Sequence, residues 1–200
     1  MNGPRSLVGA LLLAVLVVFG ACGRADRGGP TRACACEDSS AKPVDQGLMA
    51  WLSKARSLHH LADVAEEKDA IGNAIAPLEQ LVTGTRPAGE PQEVAEVLAD
   101  TYARLAELRT RVGDYERAER DVESGLLLAK DRTYFRGHLF EVRGLVFDKM
   151  SQALEKSGKP QEARVAREKA MRASIESVNL QDEVIKNTLG DAGSVDKRDD

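Results

Sequence analysis

Apolar residues recur with the period of an α-helix from about residue 43 onward, and no stretch alternates with the period of a β-strand. This spacing predicts six helices, with approximate bounds 43–65, 68–82, 91–112, 115–130, 134–157 and 161–190. Gly84, Gly113 and Gly158 stand where helices are expected to end. Pro77 is expected to kink or split the second helix, and the last helix either continues or breaks once near Asn179. The fold class is therefore all-α.

Two of the helix pairs share a residue pattern, 45 positions apart. Both contain a large apolar residue, a second apolar residue, a small residue, a glycine and further small residues in the same order. The first pair has Tyr102, Leu105, Ala106, Gly113, Tyr115, Ala118 and Gly125, and the second has Phe147, Met150, Ser151, Gly158, Pro160, Ala163 and Ala170. The small side chains would let paired helices approach closely, and the glycine would end the first helix of each pair.

This pattern resembles the tetratricopeptide repeat, a 34-residue helix-turn-helix unit. The resemblance covers about residues 92–175 and implies antiparallel helix pairs stacked as a short solenoid. About eleven extra residues, Thr133 to Arg143, would lengthen the first helix of the second pair. Arg109 and Leu154 stand where the family has tyrosine, and the pair over 44–82 fits only loosely. A plain helical bundle is the alternative, but the two apolar sides of the third helix favour a solenoid.

The N-terminus has the pattern of an export signal. Arg5 is followed by an uncharged run of thirteen residues, Leu7 to Phe19, which is shorter than the roughly 20 residues of a membrane-spanning helix. Gly20-Ala21-Cys22 then resembles the bacterial lipobox, which implies cleavage before Cys22 and its acylation. An uncleaved anchor is the alternative. Gly23 in the next position favours the outer membrane over the inner one.

The next segment, residues 23–42, is rich in glycine and charge and lacks apolar periodicity, so it is expected to be a flexible tether. It contains Cys34 and Cys36. Two thiols one residue apart could share a soft metal or crosslink to another chain, but one such pair supplies only two of the four ligands of a zinc site. Incidental cysteines are the simplest interpretation. The domain plan is thus signal peptide 1–21, tether 22–42, helical domain 43–190 and disordered tail 191–200.

Residues that carry catalysis or bind metals are scarce and scattered. His59 and His60 are adjacent, so on a helix they point about 100° apart and do not converge on one ion. His138 is more than 70 residues away, and no phosphate-binding loop, nucleophile elbow or metalloprotease motif occurs. The net charge of −4 leaves no basic excess for nucleic acid. We expect no enzyme, no cofactor, no resident metal and no small-molecule substrate.

The family resemblance instead implies a concave groove lined by the first helix of each pair. Carried onto this chain, its groove positions are Asp100, Arg104, Glu107, Arg111, Asp148, Lys149, Gln152 and Lys156. Their mixed charge favours a protein or peptide partner. The sequence thus predicts a lipid-anchored, periplasm-facing scaffold of the bacterial cell envelope. The alternatives are a passive envelope lipoprotein that only self-associates and, in third place, a metal carrier or enzyme that uses Cys34, Cys36 and the histidines.

Overall fold

The computed structural model describes residues 45–89 and 91–192, and for residues 190–192 it describes the backbone only. This part of the chain forms six α-helices and no strand, which confirms the all-α prediction. The helices are α1 Gln46–Glu67, α2 Ile71–Thr83, α3 Gln92–Arg111, α4 Tyr115–Leu128, α5 Tyr134–Lys156 and α6 Pro160–Ala192. The predicted signal peptide, the tether with Cys22, Cys34 and Cys36, and the end of the predicted tail lie outside the described residues.

Residues with a positive φ angle follow three of the helices, and a side-chain cap precedes α1. Gly113 and Gly158 adopt φ values of +80° and +72° just after α3 and α5, a backbone conformation that glycine reaches without a steric penalty. Asp69 has a positive φ of 53° after α1, which aspartate tolerates better than most residues. At the other end of α1, the Asp45 carboxylate accepts hydrogen bonds from the amides of Gly47 and Leu48.

Helices α2 and α6 are both continuous. Pro77 was expected to kink or split α2, and the helix continues through it, so the split does not occur. Proline removes the bond to the carbonyl four residues back, that of Asn73, and because Asn73 is exposed, water can satisfy that oxygen. Helix α6 likewise runs past Asn179 without a break.

The six helices pack as three successive pairs, α1 with α2, α3 with α4, and α5 with α6. Neighbouring pairs also touch, since α3 contacts α2 and α5, and α4 contacts α5. Each helix therefore contacts mainly its own partner and the next pair, as in a helical-repeat stack. Of the residues expected to lengthen the second repeat, Thr133 to Arg143, the first is the N-cap of α5 and the others form the first part of that helix.

Helix α3 is buried on two faces because it lies between neighbours. The predicted seam residues Leu98, Leu105 and Leu108 are almost fully buried, and so are Ala99 and Ala106 on its small-residue side. The seam ends before the last predicted residue, Val112, which is 54% exposed in the turn after α3. Two apolar faces on one helix are the sequence signal of a solenoid interior.

Helix α6 shows the opposite pattern, since it is the last helix of the described stack. Small side chains such as Ala163, Ala170 and Ala173 are buried, whereas Ile175 and Val178 on the outer face are more than half exposed. This difference fits a helix that packs on α5 alone.

Candidate binding groove along α3 and α5

A groove of about 740 Å³ runs along α3 and α5. Glu66 of α1 and Tyr115, the first residue of α4, also line it. The groove is lined by Glu66, Asp100, Arg104, Glu107, Leu108, Thr110, Arg111, Tyr115, His138, Leu145, Lys149, Gln152, Ala153 and Lys156. Its position on the first helices of two successive pairs is where the family resemblance places a groove.

Seven of the eight residues predicted for the groove line this cavity. The exception is Asp148, which is not part of the lining. Its carboxylate instead accepts a hydrogen bond of 2.7 Å from the amide nitrogen of Gln152 one turn later on α5. Asp148 therefore orients a lining residue rather than facing the groove. Binding of a partner by the other seven residues stays a prediction.

Arg104 joins α3 to α1. Its Nη2 atom lies 2.5 Å from carboxylate oxygens of both Asp63 and Glu66. Arg111, two turns further along α3, donates to the other oxygen of Glu66 at 2.6 Å. The two arginines of the groove are thus already paired with α1, so substituting either would disturb the packing of α1 as well as the groove.

His59 completes the contact between α1 and α3. The Thr101 hydroxyl donates to the Val97 carbonyl at 2.6 Å, so its oxygen accepts a hydrogen bond from His59 Nε2 at 2.9 Å. The other ring nitrogen, Nδ1, faces Arg104 Nη1 at 3.4 Å and acts as the acceptor. Burial lowers the pKa of His59, and the charge of Arg104 lowers it further. Both ring nitrogens of His59 thus take part in contacts between α1 and α3.

Four charged side chains of the groove form no ion pair with any described residue: Asp100 and Glu107 on α3, and Lys149 and Lys156 on α5. Burial raises the pKa of the Glu107 carboxyl, and the nearby carboxylates of Glu141, Glu66 and Asp100 raise it further against the effect of His138. An unpaired, half-buried carboxylate is costly unless something compensates its charge. The groove therefore holds charge that a bound partner could neutralise.

Apolar side chains also line the groove. Leu145 is 38% exposed, Tyr115 and Ala153 are partly exposed, and Leu108 is almost fully buried. These residues are not among the predicted groove positions, because the positions implied by the family resemblance are all polar or charged. The repeat pattern held a signal for one of them, since Tyr115 follows the turn glycine at a fixed position. An apolar surface bordered by charged groups is typical of protein interfaces, which have an apolar centre and a polar rim.

The described residues contain no group of three or more His, Cys, Asp or Glu side chains that could hold a metal ion. None of the helices between residues 45 and 192 is both long enough and apolar enough to cross a bilayer. Neither a protein-family model nor a curated protein matches the chain.

Proposed function

We propose that the chain is a lipid-anchored protein of the bacterial cell envelope whose tetratricopeptide-like domain binds a protein partner in the groove along α3 and α5. The observation that carries the proposal is the groove itself, where apolar side chains lie among four charged side chains that form no ion pair with a described residue. A half-buried carboxylate such as Glu107, which forms no ion pair with a described residue, is costly unless another charge compensates it, and this supports a binding role.

The proposed location depends on the sequence before the described residues. The run from Leu7 to Phe19 and the lipobox-like Cys22 support export and acylation. Several acyl chains on one cysteine hold a protein stably at a bilayer, whereas one chain holds it only marginally. The helical domain would then face the periplasm, tethered by residues 23–42.

Binding is best tested by photo-crosslinking in the native membrane, with a photoreactive amino acid in place of Gln152. This position lines the groove and forms no ion pair. We expect a discrete crosslinked partner that is lost in the K149E/K156E variant. The control is K54E/K186E, which makes the same charge change at two exposed lysines outside the groove.

A crosslink that survives K149E/K156E, or that both variants lose equally, would contradict a groove-bound partner. The absence of any crosslink other than one between copies of the chain would favour a passive, self-associating lipoprotein. The location is tested separately, because a Cys22→Ala variant should leave the membrane fraction and should not incorporate radiolabelled palmitate. A variant that fractionates like the wild type would show that the lipobox interpretation is wrong.

A further inference from the structure

The groove charges that form no ion pair with a described residue are separated by sign between α3 and α5. Both carboxylates, Asp100 and Glu107, belong to α3, and both ammonium groups, Lys149 and Lys156, belong to α5. Within each pair the residues are seven positions apart, which is about 10.5 Å along one face of a helix. Each helix thus presents two like charges to the same groove.

The arginines of α3 do not cancel its carboxylates. Arg104 lies between Asp100 and Glu107 in sequence, but its guanidinium is engaged by Asp63 and Glu66 of α1. Arg111 is likewise engaged by Glu66. The α3 side of the groove therefore keeps an excess of negative charge.

The α5 side has the opposite sign. Its lining residues include Lys149 and Lys156 and no carboxylate. The apolar side chains of Leu108, Leu145 and Ala153 share the lining with both sets of charges. A ligand that fills the groove would therefore meet carboxylates on the α3 side and ammonium groups on the α5 side, together with apolar side chains.

We propose that the groove selects a peptide segment that carries both signs of charge, with a basic side chain toward Asp100 and Glu107, an acidic side chain toward Lys149 and Lys156, and apolar residues between them. This inference rests on the proposed function, since it names the chemistry of the partner of that site. Like charges brought together across an interface are unfavourable, so electrostatics of this kind excludes wrong partners. A uniformly basic segment would meet the two lysines, and a uniformly acidic one would meet the two carboxylates.

The environment of Glu107 supports a cationic group on the α3 side. Burial and the carboxylates of Glu141, Glu66 and Asp100 all disfavour its ionised form, and His138 is the nearby group that opposes them. A basic side chain of a partner would lower the pKa of Glu107 and compensate these effects.

The test is a selection of random dodecapeptides displayed on phage, with the full-length protein held in detergent micelles. We expect the wild type to enrich peptides that contain both Lys or Arg and Asp or Glu. The K149E/K156E variant should stop enriching acidic residues, and D100N/E107Q should stop enriching basic ones. A synthetic peptide chosen on the wild type should bind K149E/K156E at least about 10-fold more weakly, and K54E/K186E with unchanged affinity.

A charge swap makes the test stricter. The quadruple variant D100K/E107K/K149E/K156E should again enrich peptides of both signs, but peptides selected on the wild type should not bind it. Circular dichroism of each variant checks that it is folded. If the quadruple variant is not folded, the conservative D100N/E107Q variant provides the test of the α3 side.

Two outcomes separate this inference from the proposed function. Peptides of a single charge sign, or uncharged ones, that still depend on groove residues would overturn the inference and leave a peptide-binding groove. A selection that enriches no peptide, or only peptides indifferent to every groove substitution, would overturn both.

Discussion

Arg109 on α3 and Asp121 on α4 form an ion pair in which each side chain is only about one-tenth exposed, 11% and 10% respectively. The guanidinium is shared, because its other terminal nitrogen lies 2.5 Å from the Glu79 carboxylate on α2. Arg109 thus connects three helices at the position where the tetratricopeptide pattern has a tyrosine. The guanidinium of Arg109 thus occupies a position where the pattern has an aromatic side chain, and its two partners belong to α2 and α4.

Replacing Arg109 with methionine should destabilise the domain strongly, because it leaves the Asp121 carboxylate buried without its partner. Removal of one member of a buried ion pair typically costs about 3–5 kcal/mol. We expect a loss of about 3 kcal/mol in the free energy of unfolding, measured by urea denaturation at pH 7.5. The double variant R109M/D121N should recover part of this loss, since it removes the uncompensated charge.

The matched control is Arg120→Met on α4. Arg120 pairs with Glu116 at 3.0 Å, but both side chains are more than half exposed. Exposed pairs contribute about 0–1 kcal/mol, so this variant should unfold almost like the wild type. Equal losses in R109M and R120M would show that the three-helix contact does not stabilise the fold.

The protonation of Asp121 should give the stability of the domain a distinctive pH dependence. Burial raises the pKa of Asp121 to about 6, although Arg109 opposes the effect. In the unfolded chain the value is about 3.9, so the folded state binds more protons between these values. The contribution of this residue to stability is therefore present below pH 4 and is lost as the pH rises through 6.

Two pKa units correspond to about 2–3 kcal/mol. The measurement is the difference in unfolding free energy between wild type and D121N at several pH values from 4 to 7.5. We expect the wild type to lose stability relative to D121N as the pH rises. A difference that changes in the opposite direction would mean that the attraction of Arg109 outweighs burial.

The protonation of His59 should change the stability of the domain in the opposite direction, so that stability is lost as the pH falls. Burial, followed by Arg104, lowers its pKa below the ordinary value of 6.5, while Asp100 and Asp63 act against both. The folded state then binds fewer protons than the unfolded chain. Stability is fully present above pH 6.5 and is lost as the pH falls through the lowered pKa.

A His59→Gln variant should remove this dependence, because glutamine does not titrate and can still donate to Thr101 Oγ1. The wild type should lose stability relative to H59Q as the pH is lowered from 7.5 to 5. Parallel stability curves for the two proteins would rule out a lowered pKa. NMR titration of the His59 ring measures its pKa in the folded protein directly.

The arginines and lysines of the groove should differ in their effects on stability. Arg104 is 22% exposed and hydrogen-bonds to two carboxylates of α1, and bonds of this kind are worth about 1.5–3 kcal/mol. We expect R104A to lower the unfolding free energy by about 2 kcal/mol. The K149A/K156A variant should stay within about 0.5 kcal/mol of the wild type, since these lysines make no ion pair with described residues. If R104A were as stable as K149A/K156A, the contacts of Arg104 with α1 would not stabilise the fold, and its guanidinium would be available to a partner.

The sequence predicts those features of the fold that depend on local patterns. Helix period and the glycines after α3 and α5 give the helix bounds, and the small residues Ala99 and Ala106 indicate that α3 is covered on two sides. The repeat pattern also identifies the surface along which the groove runs, because equivalent positions in stacked units share a face.

Contacts between distant segments could not be predicted in this way. The pairing of Arg104 and Arg111 with Glu66 depends on how α1 packs against α3, and the first helix pair fits the repeat only loosely. For the same reason, Arg109 could be recognised as a departure from the pattern, but its partners Glu79 and Asp121 could not be named. Pro77 shows the converse case, in which a residue that usually interrupts a helix lies inside a continuous one, and Asn73, whose carbonyl loses its hydrogen bond, is an exposed residue.

Gly125 on α4 lies at a close contact between the second and third helix pairs, and it provides a direct test of their packing. A Cβ atom at this position would lie 2.5 Å from Cδ2 of Leu139 on α5 and 3.2 Å from Cβ of Tyr102 on α3. Leu139 is fully buried, so it has little room to move away. Although alanine gains about 1 kcal/mol in helix propensity, overpacking of this kind costs about 1–3 kcal/mol.

We therefore expect Gly125→Ala to lower the unfolding free energy by about 1 kcal/mol, measured by urea denaturation. Gly72→Ala on α2 is the matched control, because a Cβ atom there would meet no atom within 4 Å. That variant should be stabilised by about 0.5 kcal/mol, since alanine restricts the unfolded chain and favours the helix. A G125A protein stabilised as much as G72A would contradict this packing, because α4 and α5 would then lie far enough apart to accept a methyl group.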